Sequence, residues 1–342
     1  MEEAMRRHFF HHDEEGLEAE KQDCHWCQIR AFATHTRQPI TIVNNEDDTM
    51  IQPNFRFREA SIRANDIEPT RKGFLSGCEC YEGQDCRYSS CSCLQDVEED
   101  DSDDDSDSGA DNRPGYYAHP APRKVYAYHT YGARAGHLRS RMLMSRNPIY
   151  ECHKKCRCGP DCANRVVERG RKVPLQIFRT KNRGWGVRCM VDLKKGQFVD
   201  KYMGEIITGE EANRRRAQSH IAQRKDVYLF ALDKFSNPDS FDARLRGPPL
   251  EVDGEFISGP TRFINHSCDP NLRIFARVGD HADKHIHDLA FFAMRDISRG
   301  EELTFDYVDG VDDSDMDALD PEKQKDMARC LCGSKKCRGY LW

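Results

Sequence analysis

The sequence has no long apolar run. Stretches such as VYLFAL (227–232) and LAFFAM (289–294) stop at six residues, whereas a membrane-spanning helix needs about 20. The expectation is therefore a soluble protein without membrane partners. The opening MEEAMRRHFFHHDEE lacks the apolar stretch of a secretory signal. That points to a reducing compartment, where disulfides rarely persist. Internal repeats and βαβ alternation are also absent, which argues against a Rossmann sheet. RGWGVR has G-x-G without the third glycine or a following helix, too little for a dinucleotide site. The acidic run DGVDDSDMDALD (309–320) lacks, in every register, the glycine and closing glutamate of an EF-hand loop. It reads as a solvated linker.

What is present is uneven. The formal charge is −6, but DVEEDDSDDDSDSGAD (96–111) holds ten carboxylates and no base, and without them the charge is +4. Like-charge repulsion makes that tract a solvated, disordered insert, and the mildly basic remainder is no strong nucleic-acid footprint. From Val173 onward, short strand-like pieces alternate with turns: LQIFR, WGVRCMV, GQFVDKYMGEII, KDVYLFAL, LEVDG, RIFARV, DLAFFAM and ELTFDYV. They predict a β-rich domain of small sheets, to which ITIV (40–43) adds one more strand. One helix is predicted from Thr208 through EEANRRRAQSHIAQRK, opened by a Thr208/Glu211 capping box. Its Arg214, Arg215 and Arg216 read as a solvated face, with nucleosomal DNA contact the sharper alternative.

Sixteen cysteines in a reducing setting point to metal. Cys78, Cys80, Cys86, Cys91 and Cys93 follow C-x-C-x5-C-x4-C-x-C, and Cys152, Cys156, Cys158 and Cys162 follow C-x3-C-x-C-x3-C. A closed zinc site takes four ligands, so two separate sites leave one thiol over. Three zinc ions sharing nine thiolates, six terminal and three bridging, leave none. The shared cluster is the preferred arrangement, two ordinary sites plus a bystander the alternative; iron–sulfur clusters do not use nine ligands neatly. Near the end, Cys330, Cys332 and Cys337 are one ligand short of a tetrahedron. Cys189 shares strand parity with Val187 and Val191 and reads as buried. Cys24 and Cys27 in CHWC form half a site and read as packing. Cys268, in the turn-prone RFINHSCDPN, is expected to complete the tail's zinc site beside Asn265 and His266.

Together these features resemble the SET-domain protein lysine methyltransferases. RGWGV, YMGEII, RFINHSCDPN and ELTFDYV match successive motifs in order. The nine-cysteine segment resembles the pre-SET region, and CLCGSKKCRGYLW the post-SET tail. The combination is most similar to the Su(var)/Clr-type enzymes acting on the ninth-position lysine of histone H3, in particular their filamentous-fungal members. The resemblance implies a β-rich α+β fold: a SET domain of small curved sheets with a pseudoknot, flanked by zinc-binding pre-SET and post-SET regions. The expected organisation is an N-terminal segment (1–74), a pre-SET domain (75–163) with the acidic insert, a SET domain (164–308), an acidic linker (309–329) and a post-SET tail (330–342). The implied cofactor is S-adenosylmethionine, contacted by Arg179, Gly184, Trp185, Gly186, Tyr228, Arg262, Phe263, Asn265, His266 and Trp342. Tyr202, Phe230, Phe305, Tyr307 and Trp342 would line a lysine channel, with Tyr307 the principal catalytic residue. The implied partner is the histone H3 N-terminal tail, with nucleosome contact, for a monomer in the nucleus at chromatin; a methyltransferase of non-histone lysines, or a non-catalytic chromatin adaptor of the same fold, is the alternative.

The chemistry fits those residue types. Methyl transfer from a sulfonium to an amine is an in-line displacement that needs alignment and exclusion of water. The attacking lysine must be neutral. From a reference pKa of about 10.4, deprotonation near pH 8 costs roughly 3.3 kcal/mol, which a dry channel beside a positive charge lowers. No dedicated base is evident, so the proton is expected to leave to water. Phe305, rather than a phenol, leaves room for a methylated amine to turn, and the expected products are di- and trimethyllysine. Asp233 and Glu302 are the expected partners for the polar groups of a basic peptide laid along VYLFALD.

Overall fold

The computed structural model describes residues 18–68, 77–81, 86–87, 91–97, 123–218, 228–279, 283–309, 317–325 and 327–341. Most of the acidic insert, residues 219–225 of the predicted helix and Trp342 lie outside them. Among the described residues no helix is long and apolar enough to cross a membrane.

Small sheets dominate. A five-stranded sheet runs in the order Ile40–Val43, Leu175–Arg179, Trp185–Cys189, Glu302–Phe305, Asn265–His266. ITIV adds to its edge in parallel, Ile40 opposite Leu175 and Val43 opposite Phe178. At the other edge Asn265–His266 pairs in parallel with Thr304 and Phe305. Two motifs some forty residues apart thus meet side by side. A second sheet orders Leu229–Ala231, Glu251–Asp253, Glu205–Ile207 and Ile62–Arg63. Leu229–Ala231 and Ile62–Arg63 are its edge strands.

A third sheet contains Ile149–Tyr150, Leu272–Val278, Asp288–Ala293 and Phe198–Tyr202, and joins the two halves of the molecule. Side chains alternate across a strand, so Leu289, Phe291 and Ala293 enter the core of the catalytic half. Ala290 and Phe292 enter a second core built on the cysteine cluster and Tyr128. Both faces are covered, which is why DLAFFAM reads as an unbroken apolar run rather than an alternating one.

The same junction carries a buried charge network. Glu151 is fully buried. It accepts from the backbone amides of Val166, Val167 and Glu168 at 2.8, 2.9 and 2.9 Å, from the Tyr128 hydroxyl and from Arg277 Nε at 3.1 Å. Arg277 also reaches Glu168 at 2.7 Å and Asp288 at 3.0 Å. Removing one partner of such a set strands a charge out of water, at a cost of about 3–5 kcal/mol. Arg277→Leu is therefore expected to lower unfolding free energy by about that much in urea titrations. A loss below about 1 kcal/mol would show that the network contributes little.

The predicted helix is present as Gly209–Gln218. Thr208 Oγ1 accepts from the Glu211 amide at 3.2 Å, the first half of the capping box. The solvated-face expectation holds only for Arg214. Because the helix packs on the strand Glu251–Asp253, Arg215 binds Glu205, Glu211 and Asp253 at 2.8, 2.7 and 2.8 Å. Arg216 binds Glu251 at 2.5 Å. Those two guanidiniums clamp the helix to the sheet rather than offer a free cationic face.

Candidate active site

The cysteines gather as two sets. In the first, Sγ atoms lie within 4.8 Å of one another in overlapping quartets: Cys78, Cys86, Cys91 and Cys152; Cys78, Cys152, Cys156 and Cys158; Cys86, Cys152, Cys158 and Cys162. Cys93 groups with His153 and Cys156, and Cys80 is buried alongside. Sulfur separations of 3.9 Å (Cys78–Cys152), 3.7 Å (Cys78–Cys158) and 3.8 Å (Cys91–Cys152) match the edge of a tetrahedron with Zn–S bonds near 2.3 Å, about 3.8 Å. One thiol serving several quartets is what bridging ligands require. The donor set fits zinc.

The second set is Cys268, Cys330, Cys332 and Cys337, again within 4.8 Å, with Cys268 and Cys330 sulfurs 3.8 Å apart. The tail therefore returns to the RFINHSC segment, where a short hairpin pairs Ala328–Arg329 with Tyr340–Leu341. Lys336 reaches Asp269 at 2.9 Å and Arg338 reaches Asp306 at 2.5 Å. Cys189 is buried, its thiol donating to the Pro174 carbonyl. Cys24 and Cys27 flank the start of the helix His25–Arg30, which packs on the strand Arg56–Phe57. Burial and the neighbouring Cys24 thiol push Cys27 up to about 11.

Beneath the tail lie two cavities. The smaller, 540 Å³, brings together Arg179, Gly184, Trp185, Tyr228, Arg262, Phe263, Asn265 and His266, all expected from the sequence. Gly186 stands just behind, where an added Cβ would approach Glu302 Oε1 to 2.9 Å. Gly184 has φ +70°, a conformation that side chains resist, and closes the turn from Thr180, whose amide it accepts at 2.8 Å. The Arg262 guanidinium lies 4.1 Å from the Tyr228 ring centroid and 4.8 Å from that of Phe263, with stabilising cation–π geometry. Asn265 Nδ2 donates to the Trp185 carbonyl at 3.1 Å and to Glu302 at 2.9 Å. Residues 49–52, Phe55, Arg183 and the tail residues 329–332 complete the lining. Of these, only Cys330 and Cys332 are marked by the sequence, and as zinc ligands rather than cofactor contacts.

The larger cavity, 1040 Å³, is lined by Phe230, Asp233, Phe305 and the edge strand Leu229–Ala231, among others. Tyr307 and Leu341 line both cavities. Between the two runs an aromatic chain: Tyr202–Phe230 at 4.6 Å, Phe230–Phe305 at 5.7 Å and Phe305–Tyr307 at 4.7 Å between ring centroids. The Tyr307 hydroxyl donates to the Ile264 carbonyl at 2.7 Å and the Tyr202 hydroxyl to that of Tyr228 at 2.9 Å. Burial raises both phenols well above their ordinary range, so they remain neutral donors. His266 Nδ1 accepts the Tyr307 amide at 3.1 Å, and its Nε2 lies 3.2 Å from Cys268 Sγ. Burial pushes His266 down to about 4.

One expectation fails here. Glu302 does not face the large cavity. Its carboxylate is held by Arg183 at 2.5 Å and by Asn265 at the back of the smaller one, so it is no partner for a peptide. Its strand neighbours explain this: Glu302 sits opposite Arg188, on the face turned toward the Thr180 loop.

Known proteins align with this architecture. The SET domain model matches residues 184–308 and the Pre-SET motif model residues 32–165. The H3 lysine-9 specific histone-lysine N-methyltransferase KMT1 of Fusarium mangiferae is 60% identical, over 99% of this chain and 98% of that protein. The solved structure of the Neurospora SET domain protein DIM-5, a histone lysine methyltransferase, superposes with a TM-score of 0.70 at 56% identity, covering 86% of this chain and all of that one (100%). Arabidopsis thaliana SUVH6, solved in complex with SAM, gives a TM-score of 0.61 at 27% identity over 95% of this chain and 59% of that one. With a SET fold, a cysteine-rich pre-SET region and an aromatic passage joining two cavities, the chain belongs to the family of SET-domain histone-lysine N-methyltransferases.

Proposed function

We propose that this enzyme methylates the ninth-position lysine of the histone H3 tail, yielding di- and trimethyllysine, with S-adenosylmethionine as methyl donor, and acts at chromatin in the nucleus in heterochromatin and gene silencing. The observation that carries the reading is the meeting of two separate cavities at Tyr307. When bound, the sulfonium supplies an electrophilic methyl whose C–S bond breaks as the N–C bond forms. Arg179, Trp185, Tyr228, Arg262, Phe263, Asn265 and His266 hold the cofactor in the smaller cavity, with Trp342 following Leu341. Tyr202, Phe230 and Phe305 grip the lysine methylenes and keep water out, and the Tyr307 hydroxyl orients the neutral amine. The departing amine proton goes to water. Three zinc ions shared among the nine pre-SET cysteines and one among Cys268, Cys330, Cys332 and Cys337 shape the scaffold and pin the tail.

The peptide has a place to lie. Among the described residues Leu229–Ala231 leaves one edge of its sheet open beside the large cavity, which suits strand addition by an extended tail. Asp233 lines that cavity and offers a carboxylate to a basic residue of the tail. The test is incubation with labelled cofactor and H3 tail peptides in which each lysine is replaced in turn. Loss of signal with the ninth lysine alone supports the reading, and undiminished labelling of that peptide contradicts it.

Product number follows from Phe305, which is 3% exposed and packs at 5.0 Å from Phe291. Phe305→Tyr puts a hydroxyl where a methylated amine has to turn. Mass spectrometry is expected to show monomethyllysine replacing most of the trimethyl product; an unchanged trimethyl yield sinks the steric account.

A further inference from the structure

Resting on the reading of the smaller cavity as the cofactor site, we infer that Asp47 is a positioning residue for it: Asp47 locks Arg179 and thereby seats residues 49–52 as the cavity's outer wall. These residues come from a stretch in which the sequence marks no candidate site residue, yet Thr49, Met50, Ile51 and Gln52 all line the cavity. The turn that delivers them is tightly specified. Asn44 Nδ2 donates to Asp47 Oδ1 and to the Thr49 carbonyl, each at 2.8 Å, and the Thr49 amide donates to Asp47 Oδ1 at 2.9 Å. Asp47 then takes Arg179 Nε at 2.9 Å, while Arg179 Nη2 reaches Thr49 Oγ1 at 3.4 Å. Hydrogen bonds from Asn44 and Thr49, together with Arg179, hold the Asp47 carboxyl well below its usual range.

This leaves the remaining arm of the guanidinium for the cavity. Arg179 Nη1 lies 3.7 Å from where a Cβ on Gly184 would sit, and the guanidinium carbon is 5.8 Å from the Trp185 ring centroid. Both neighbours line the same space. Across the mouth, Met50 and the tail residue Leu331 are large apolar side chains left 66% and 55% exposed, a pair of lips that a bound ligand would cover. A second tie secures the wall, with the Arg262 guanidinium 5.2 Å from the Phe55 ring centroid. Asp47 is itself 41% exposed at the side chain, and an exposed ion pair adds little to folding. Its substitution therefore separates seating of the wall from stability.

The experiment uses the zinc-loaded full chain and its Asp47→Ala and Asp47→Asn variants. S-adenosylhomocysteine binding is measured by calorimetry, and methyl-transfer kinetics are run with each substrate varied in turn. Both variants are expected to weaken S-adenosylhomocysteine binding and raise KM for S-adenosylmethionine about tenfold, with kcat and the peptide KM within twofold. Arg179→Gln combined with Asp47→Ala should weaken binding no further than Arg179→Gln alone, because Asp47 acts through Arg179. Unchanged affinity in the Asp47 variants, or a lower kcat at unchanged KM, overturns the inference while leaving the cofactor site standing. Failure of the unsubstituted protein to bind S-adenosylhomocysteine overturns both.

Discussion

Cys268→Ser is expected to lower methyl transfer by about 100-fold or more and remove one equivalent of zinc, with little change in the urea midpoint. The asymmetry follows from where the four thiols stand. Cys268 belongs to the segment that carries Asn265 and His266, whereas Cys330, Cys332 and Cys337 belong to the tail. Without the metal the tail is left with a two-residue hairpin pairing, marginal on its own, and the Lys336–Asp269 and Arg338–Asp306 pairs. The first pair is 72% and 54% exposed and is worth about 0–1 kcal/mol. The second pair, 14% and 17% exposed, keeps its burial only while the tail is in place, so neither pair on its own holds Leu341 against both cavities. The fold survives because no described tail residue belongs to either main core. Metal analysis, urea titration and methyl transfer on one preparation check all three expectations. Full activity with a metal-free tail would contradict them.

Tyr307→Phe is expected to reduce kcat by about 10²–10³, the usual effect of deleting one aligned hydrogen-bonding group at a dry reacting centre. S-adenosylhomocysteine affinity should stay within about threefold, since the ring remains. Its packing against Phe305 at 4.7 Å and His266 at 5.4 Å does not need the hydroxyl, so the loss should fall on the chemical step. The raised phenol pKa has a direct consequence: Tyr307 is protonated throughout the neutral range, its proton on the Ile264 carbonyl, and its oxygen orients the amine by accepting an N–H, not by taking the lysine proton. Single-turnover kinetics separate the two possibilities. A kcat within threefold of the unsubstituted enzyme would remove Tyr307 from the proposed chemistry.

Much of this architecture is legible in the chain. Period-two alternation in LQIFR and the turn residues around each short strand mark the sheets, and ITIV is a strand because its apolar positions fit an open edge. The cysteine spacings likewise point to shared metal, and Cys268 stands out because no local partner accounts for it. Cavity-lining residues outside motifs stay hidden for a physical reason. Asp47 meets Arg179 across 132 residues, and nothing local in NNEDDT marks which carboxylate will do so. The fates of Arg215, Arg216 and Glu302 depend on which face of a neighbouring strand they meet, a tertiary fact that charge pattern alone does not carry. Likewise the run LAFFAM is compatible with a buried helix until both cores around it are seen.

The most direct test of the account is hydrogen exchange across residues 328–341 in the zinc-loaded protein with S-adenosylhomocysteine and an H3 peptide bound. A tail clamped over the junction at Tyr307 predicts strong protection of the Tyr340 and Leu341 amides, lost on stripping the Cys268 quartet of metal. Exchange of those amides at the rate of a free peptide, with zinc and both ligands in place, would contradict it.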